Sequence, residues 1–349
     1  MKILLTGRNG QLGWELAHSL APLGELVALD RAGLDLADPD RIRSALRELK
    51  PGIIVNAAAY TAVDRAESEP EAAFAINARA PGVLAEEAKR LGALLIHYST
   101  DYVYDGAKAA PYLEDDPTNP LGVYGASKLE GERAIAATGA RHWIFRTSWV
   151  YAPRGKNFLL TILRVAREGK PLRVVADQFG APTSAAMLAR ATAQAVGRGF
   201  SAPDSEIARS TPPNTVGRSF SAPDSATARS TPPDTVGRGF SAPQTRRGEP
   251  APYATPTMTD RSPPASGVYH MTAAGRTSWH GFASAILAEF GFHNPIAAIP
   301  SSEYPLPAKR PANSVLDNSR LAAAFGIRLP SWEDGLREAA EILKEPHQT

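Results

Sequence analysis

Tyr124 and Lys128 stand four residues apart at the start of a stretch with helical periodicity, so a phenol and an ammonium share one face. A phenol with an ordinary pKa of about 10 is a reluctant acid, and a neighbouring cation stabilises its phenolate. Moving such a group towards neutrality takes about 4 kcal/mol, most of which one close cation in a partly dry site supplies. Upstream, Ser99-Thr100-Asp101 closes an apolar run and brings hydroxyls and a carboxylate to the end of an expected strand. A hydroxyl that holds an oxygen, a phenol that protonates it and a cation that tunes the phenol are the parts a carbonyl reduction needs, provided something delivers a hydride.

The hydride carrier is suggested by Gly7, Gly10 and Gly13, which follow the first apolar run and open the first helical segment. Glycines there permit a tight turn and a close approach of backbone to a pyrophosphate, which then rests on the helix N-terminus. The spacing is looser than the strict dinucleotide fingerprint, and the position after an N-terminal strand gives it weight. Asp30, about 20 residues on and closing the second strand, suits the adenosine ribose hydroxyls. Arg31 beside it suits a 2′-phosphate instead, so NADH and NADPH both remain open as the cofactor.

These residues need a scaffold, and the first 150 positions supply its pattern. Lys2–Thr6, Glu25–Leu29, Ile53–Asn56, Leu94–Ser99 and Trp143–Arg146 read as strands, while Leu12–Ala21, Asp38–Leu49, Ala72–Arg90 and Val123–Ala137 read as helices. Continuous apolar strands alternating with helices predict an α/β fold, a Rossmann-type doubly wound parallel sheet covered on both faces. Its chemistry belongs at the carboxyl ends of the strands. A helix over Ala185–Val196, a strand over Gly267–Met271 and helices over Ser278–Phe290, Leu316–Phe325 and Trp332–Leu343 follow. We expect a dinucleotide-binding domain over 1–150 and about 171–196, and a smaller mixed substrate region over about 151–170 and 267–345.

Between them lies a repeat. Gly197–Val216 is nearly copied by Gly217–Val236, and a third copy begins at Gly237 and fades after Gln244. Each unit carries three prolines and only two or three bulky apolar residues, too few to offset the entropy of ordering it. The 197–266 segment therefore reads as a disordered insertion.

Composition narrows the alternatives. Of 349 residues 43% are hydrophobic, enough for a real core, and 38 basic against 36 acidic residues leave +2. So small a net charge gives no broad field for nucleic acid or an anionic membrane. The absence of cysteine excludes disulfides, thiolate metal sites and cysteine nucleophiles, and fits a cytoplasmic protein. The apolar runs are too short for a signal peptide or a membrane span. The seven histidines are scattered and suggest no metal site.

The chain resembles the extended short-chain dehydrogenase/reductases, and within them the dTDP-4-dehydrorhamnose reductase family. The runs that carry the likeness are LLTGRNGQLG (Leu4–Gly13), NAAAYTAVDRAE (Asn56–Glu67), STDYVYDG (Ser99–Gly106), YGASKLEGE (Tyr124–Glu132), RTSWVY (Arg146–Tyr151), DQFGAPT (Asp177–Thr183) and RPANSVLD (Arg310–Asp317). They span nearly everything but the insertion. The resemblance implies reduction of the 4-keto group of a dTDP-sugar, with Tyr124 as proton donor, Thr100 holding the oxygen, and Lys128 on the nicotinamide ribose. It places Gly10, Gln11 and Leu12 at the pyrophosphate, Asp30, Asp35 and Leu36 at the adenosine, and Ala59, Tyr60 and Thr61 beside the nicotinamide. It gives Asp101, Trp149, Val63, Asn157, Gln178 and Arg310 to the substrate.

Some members of that family dimerise around Mg2+ held partly by glutamates. Glu15 matches the first such position, but Ala186 stands where a second glutamate is expected. The sequence therefore argues against the metal, and for a monomer or weak homodimer. Two rival readings share the scaffold: a sugar-nucleotide epimerase or dehydratase, and a non-catalytic partner like the regulatory subunit of methionine adenosyltransferase. The complete Thr100, Tyr124 and Lys128 set speaks against the second.

Overall fold

The computed structural model describes residues 1–199 and 264–345; most of the repeat insertion lies outside the described residues. Five strands fall where the apolar runs predict them: β1 (Lys2–Thr6), β2 (Glu25–Leu29), β3 (Ile53–Asn56), β4 (Leu94–Thr100) and β5 (His142–Thr147). All pair in parallel, and the strand Gly267–His270 joins β5 in parallel at one edge. The order is Gly267–His270, β5, β4, β3, β1, β2. The chain moves outward in opposite directions from β1, and the crevice between the carboxyl ends of β1 and β3 is where such sheets bind ligands.

Both faces of the sheet are covered, as its unbroken apolar strands require. Alternation along β1 turns Ile3 and Leu5 to one face, where they pack with Leu16, Leu20, Phe145 and Leu188. Leu4 turns to the other, with Ile42, Leu46, Leu84 and Ile144. The helix Pro39–Leu49 starts where Asp38 accepts from Asp40 N and Arg41 N, with proline at its first position.

Three elements depart from their sequence pattern. The helix expected over Ala72–Arg90 is broken into Pro70–Phe74, a π-helical turn Ala75–Arg79, and Ala80–Leu91. Pro81 is the cause: it has no N–H for the carbonyl of Asn77 four residues earlier, and its ring crowds that carbonyl. The helix expected over Leu316–Phe325 begins only at Ser319, because the residues before it are extended beside Tyr112, with Tyr112 N donating to Val315 O and Asp317 N to Tyr112 O. Gly267–His270, grouped above with the substrate region, completes the large sheet instead. The region expected to take the substrate contains the helices Phe158–Arg167 and Trp279–Glu289 and the strand Ile296–Ile299, which pairs in parallel with Leu172–Val175 from the stretch expected in the dinucleotide-binding domain. Ser278 caps the second of these helices, accepting from Gly281 N at 3.0 Å. No helix among the described residues is long and apolar enough to cross a membrane.

Candidate active site

A cleft of about 860 Å³ opens at the carboxyl edge of the sheet. At one end lies the turn after β1. Gly7 adopts φ +76°, and a Cβ there would meet the Ala58 backbone at 2.8 Å. A Cβ at Gly10 would stand 3.2 Å from the Gly7 carbonyl and one at Gly13 only 2.0 Å. Gly7, Gly10, Gln11 and Leu12 line the cleft. Gly13 does not, and serves to bring the helix Gln11–Leu20 down onto the turn. A cradle that side chains would fill, at a helix N-terminus, fits a dinucleotide pyrophosphate.

The end expected to take the adenosine is lined by Asp30, Arg31, Leu34, Asp35 and Leu36. Asp30 accepts from Gly33 N at 3.0 Å and from Asn9 Nδ2 at 2.9 Å, and the Gly33 bond first of all holds its carboxyl below the usual range. Asn9, which lines the cleft, had no signal in the sequence beyond its place in the turn. Removing a carboxylate that disfavours a 2′-phosphate has a definite sign: Asp30→Ala should raise the ratio of NADPH to NADH efficiency, on the order of tenfold. Steady-state kinetics with each cofactor reads this directly, and an unchanged ratio would remove Asp30 from cofactor selection.

Ala59, Tyr60, Thr61 and Val63 form one wall. Tyr60 donates its hydroxyl to Glu69 at 2.6 Å, while its backbone is held by Asn77: Tyr60 N donates to Asn77 Oδ1 at 2.9 Å and Asn77 Nδ2 to Tyr60 O at 3.0 Å. Asn77 Nδ2 also donates to Ser127 Oγ at 3.0 Å, one residue before Lys128. Asn77 thus ties this wall of the cleft to the helix that carries Tyr124 and Lys128 from within the π-helical turn. A polar residue four positions before Pro81 was the only clue to it.

Thr100, Tyr124 and Lys128 meet at the centre of the cleft. Thr100 ends β4. Its hydroxyl donates to Asp101 Oδ1 at 3.0 Å and accepts from Tyr102 N, and it lies near the Tyr124 phenol. Tyr124 opens the helix Val123–Thr138, whose first N–H has no local cap; Glu67, from the Asn56–Glu67 run, accepts from Val123 N at 2.8 Å instead. Burial pushes Tyr124 up to about 12, with the nearby Thr100 hydroxyl opposing. The sequence suggested a cation pulling this phenol down, but Lys128 Nζ is turned to Tyr98 O at 2.6 Å and His97 Nε2 at 3.1 Å. Lys128 is itself lowered to about 8 by burial. Asp101 is raised to about 7, again by burial, with the Ser314 and Thr100 hydroxyls opposing. Ser99 Oγ and Thr147 Oγ1, on the same floor, are buried without a hydrogen-bond partner among the described residues.

The far end is aromatic. Trp149, at φ +49°, stacks on Trp279 with centroids 3.5 Å apart and planes 6° from parallel. Gly180 lies against the Trp149 ring, with no room for a Cβ. Asn157 lines the cleft while capping its own helix and donating to Gln11 Oε1 at 2.8 Å. Trp279 was not foreseen, since an aromatic at a helix start reads equally well as core. Two expected substrate residues stand apart from this lining. Gln178 is part-buried outside it, and Arg310 is engaged by Asp64, with Nη1 and Nη2 donating at 3.1 and 2.8 Å. Glu15 is also outside, half-buried near His18, Arg154, Arg190 and Glu338, and raised first of all by burial. Among the described residues no group of three or more His, Asp or Glu is placed to hold a metal.

A parallel sheet wound from β1, with a glycine cradle and a Thr–Tyr–Lys centre in one cleft, defines a Rossmann-type NAD(P)H-dependent oxidoreductase. The family model of the RmlD substrate binding domain matches residues 1–207 and 253–345. A dTDP-4-dehydrorhamnose reductase of Burkholderia thailandensis is 47% identical over 342 residues, 95% of each chain. The crystal structure of a dTDP-4-dehydrorhamnose reductase from Clostridium acetobutylicum superposes with a TM-score of 0.78 at 31% identity, covering 99% of this chain and 100% of that one. That of the Bacillus anthracis enzyme in complex with NADP gives 0.75 at 28% identity, with 97% of each covered. The chain belongs to the dTDP-4-dehydrorhamnose reductase family.

Proposed function

We propose that the protein reduces the 4-keto group of dTDP-4-dehydro-L-rhamnose to give dTDP-L-rhamnose. The observation that carries the reading is that Thr100, Tyr124 and Lys128 line the same cleft as the glycine cradle. Residues 1–150 and about 171–196 hold the dinucleotide, joined by the Gly267–His270 strand; about 151–170 and the rest of 267–345 hold the sugar nucleotide. Gly7, Gly10, Gln11 and Leu12 receive the pyrophosphate, Asp30, Asp35 and Leu36 the adenosine, and Ala59, Tyr60 and Thr61 the nicotinamide side. When bound, the reduced nicotinamide supplies the hydride that reaches C4.

The chain's own groups do the rest. Thr100 and Tyr124 hold the carbonyl oxygen, and as the C4–H bond forms, negative charge gathers on that oxygen. An alkoxide is nearly as basic as hydroxide, so it takes the proton from a phenol at about 12 downhill. A phenol kept above its ordinary value is thus loaded at every physiological pH, which suits reduction. Lys128 holds the ribose. Asp101, Val63, Trp149 and Asn157 contact the sugar, and Arg310 releases Asp64 to meet the diphosphate, for which its planar fork is suited. A cytoplasmic monomer or weak homodimer belongs to the same reading.

The test mixes protein, NADPH and dTDP-4-dehydro-L-rhamnose and follows loss of NADPH absorbance. Stoichiometric oxidation with appearance of dTDP-L-rhamnose is expected. Conversion of sugar without net NADPH consumption would replace this function by an epimerase.

A further inference from the structure

The catalytic lysine rests on a row of polar side chains that crosses the sheet. Lys128 Nζ is 3.1 Å from His97 Nε2, His97 Nδ1 is 3.0 Å from Asn56 Nδ2, and Thr6 Oγ1 donates to Asn56 Oδ1 at 2.7 Å. His97, Asn56 and Thr6 are directly paired neighbours on β4, β3 and β1. All four residues are buried, Lys128 at 2% exposure, and polar groups in such a place cost stability unless they are mutually satisfied. We propose that His97 is a positioning residue for Lys128, its neutral imidazole accepting a hydrogen bond from the ammonium and so keeping that group charged and aimed at the cleft. This rests on the reductase reading above.

The argument follows from donors and acceptors. A neutral imidazole has one donor and one acceptor nitrogen. With Asn56 Nδ2 towards Nδ1 and Thr6 donating to Asn56 Oδ1, the imidazole carries its proton on Nε2 and offers it to an uncharged amine. For Nε2 to accept from the ammonium, the Asn56 amide turns over, so that Nδ1–H donates to its oxygen and its nitrogen donates to the Thr6 hydroxyl. Each state pairs Lys128, His97 and Asn56 along the row. The bond from the ammonium is charge-assisted and the stronger of the two, so the row favours the charged lysine.

The surrounding groups agree. Burial first, and then the charge of Lys128, hold His97 well below its ordinary value, so it stays neutral. On its own helix the titratable neighbours of Lys128 are Tyr124, one turn earlier, and Glu132, one turn later, which is engaged by Arg146 from β5. Asp101 follows the end of β4, while Asn56 from β3 and Asn77 from the π-helical turn bring no charge.

The sign is fixed by these facts. Lys128 is protonated below about 8, and turnover should fall as pH rises through that value. Removing the acceptor lowers the lysine further and moves the basic limb of kcat to lower pH. For the full chain reducing dTDP-4-dehydro-L-rhamnose with NADPH, His97→Leu should shift that limb down by about one to two pH units. His97→Gln, whose amide oxygen reaches the place of Nε2, should keep it where the wild type has it. A limb unmoved in His97→Leu, or displaced equally in both variants, overturns the role. If His97→Leu does not fold, His97→Gln decides: a wild-type limb supports the role and a displaced one overturns it. A wild-type chain that oxidises no NADPH would instead defeat the reductase reading. Nitrogen NMR of the Lys128 side chain would then still report whether His97 governs its titration.

Discussion

Tyr124→Phe should lower turnover roughly 100- to 10,000-fold while leaving NADPH affinity unchanged. The phenyl ring keeps the contacts of the phenol, including the edge-on packing against Tyr102 at 5.5 Å, so the fold has no reason to change. What is lost is the phenol that lines the cleft near Thr100 and would give up its proton. Without it the developing alkoxide must find its proton in water, in a site walled by buried side chains. Thr100 cannot substitute, because an alcohol hydroxyl gives no downhill proton transfer to an alkoxide of like basicity. Cofactor titration by fluorescence together with steady-state kinetics separates the two effects. Undiminished turnover in the variant would remove the mechanism.

Arg146→Leu should destabilise the protein by about 3–5 kcal/mol, the ordinary cost of stranding one partner of a buried pair. Arg146 is 4% exposed. Its Nε and Nη2 donate to the two oxygens of Glu132 at 2.9 and 2.6 Å, and Nη1 donates to the Tyr104 hydroxyl at 2.6 Å. Removing the guanidinium leaves the Glu132 carboxylate inside the protein without its cation, on the helix that also carries Tyr124 and Lys128. The double replacement Arg146→Leu with Glu132→Leu should be less damaging than Arg146→Leu alone, since no charge is then stranded. Urea unfolding of the three variants measures this. A single variant within about 1 kcal/mol of wild type would mean that the pair is not carrying the helix.

The amino-acid sequence by itself determined the elements whose causes are local. Five apolar runs became five strands of the central sheet, because buried parallel strands need side chains of one kind on both faces. The glycine turn was legible because Gly7 needs a positive φ and Gly13 has no space for a Cβ. Tyr124 and Lys128 reach one cleft because a four-residue step on a helix keeps one face. Only the tertiary structure decided which partners those side chains take. Lys128 turns to His97 and Tyr98 rather than to the phenol, Arg310 to Asp64 some 246 residues away, and Glu67 caps a helix 56 residues on. Gly267–His270 enters the sheet from beyond the insertion, and Asn77 braces the cofactor wall because Pro81 breaks its helix. The physical reason is common to all of them. Propensity and periodicity act over a few residues, whereas hydrogen-bond partners and burial follow from which segments the closed fold brings together. Burial, not sequence neighbours, is what raises Tyr124 and lowers Lys128.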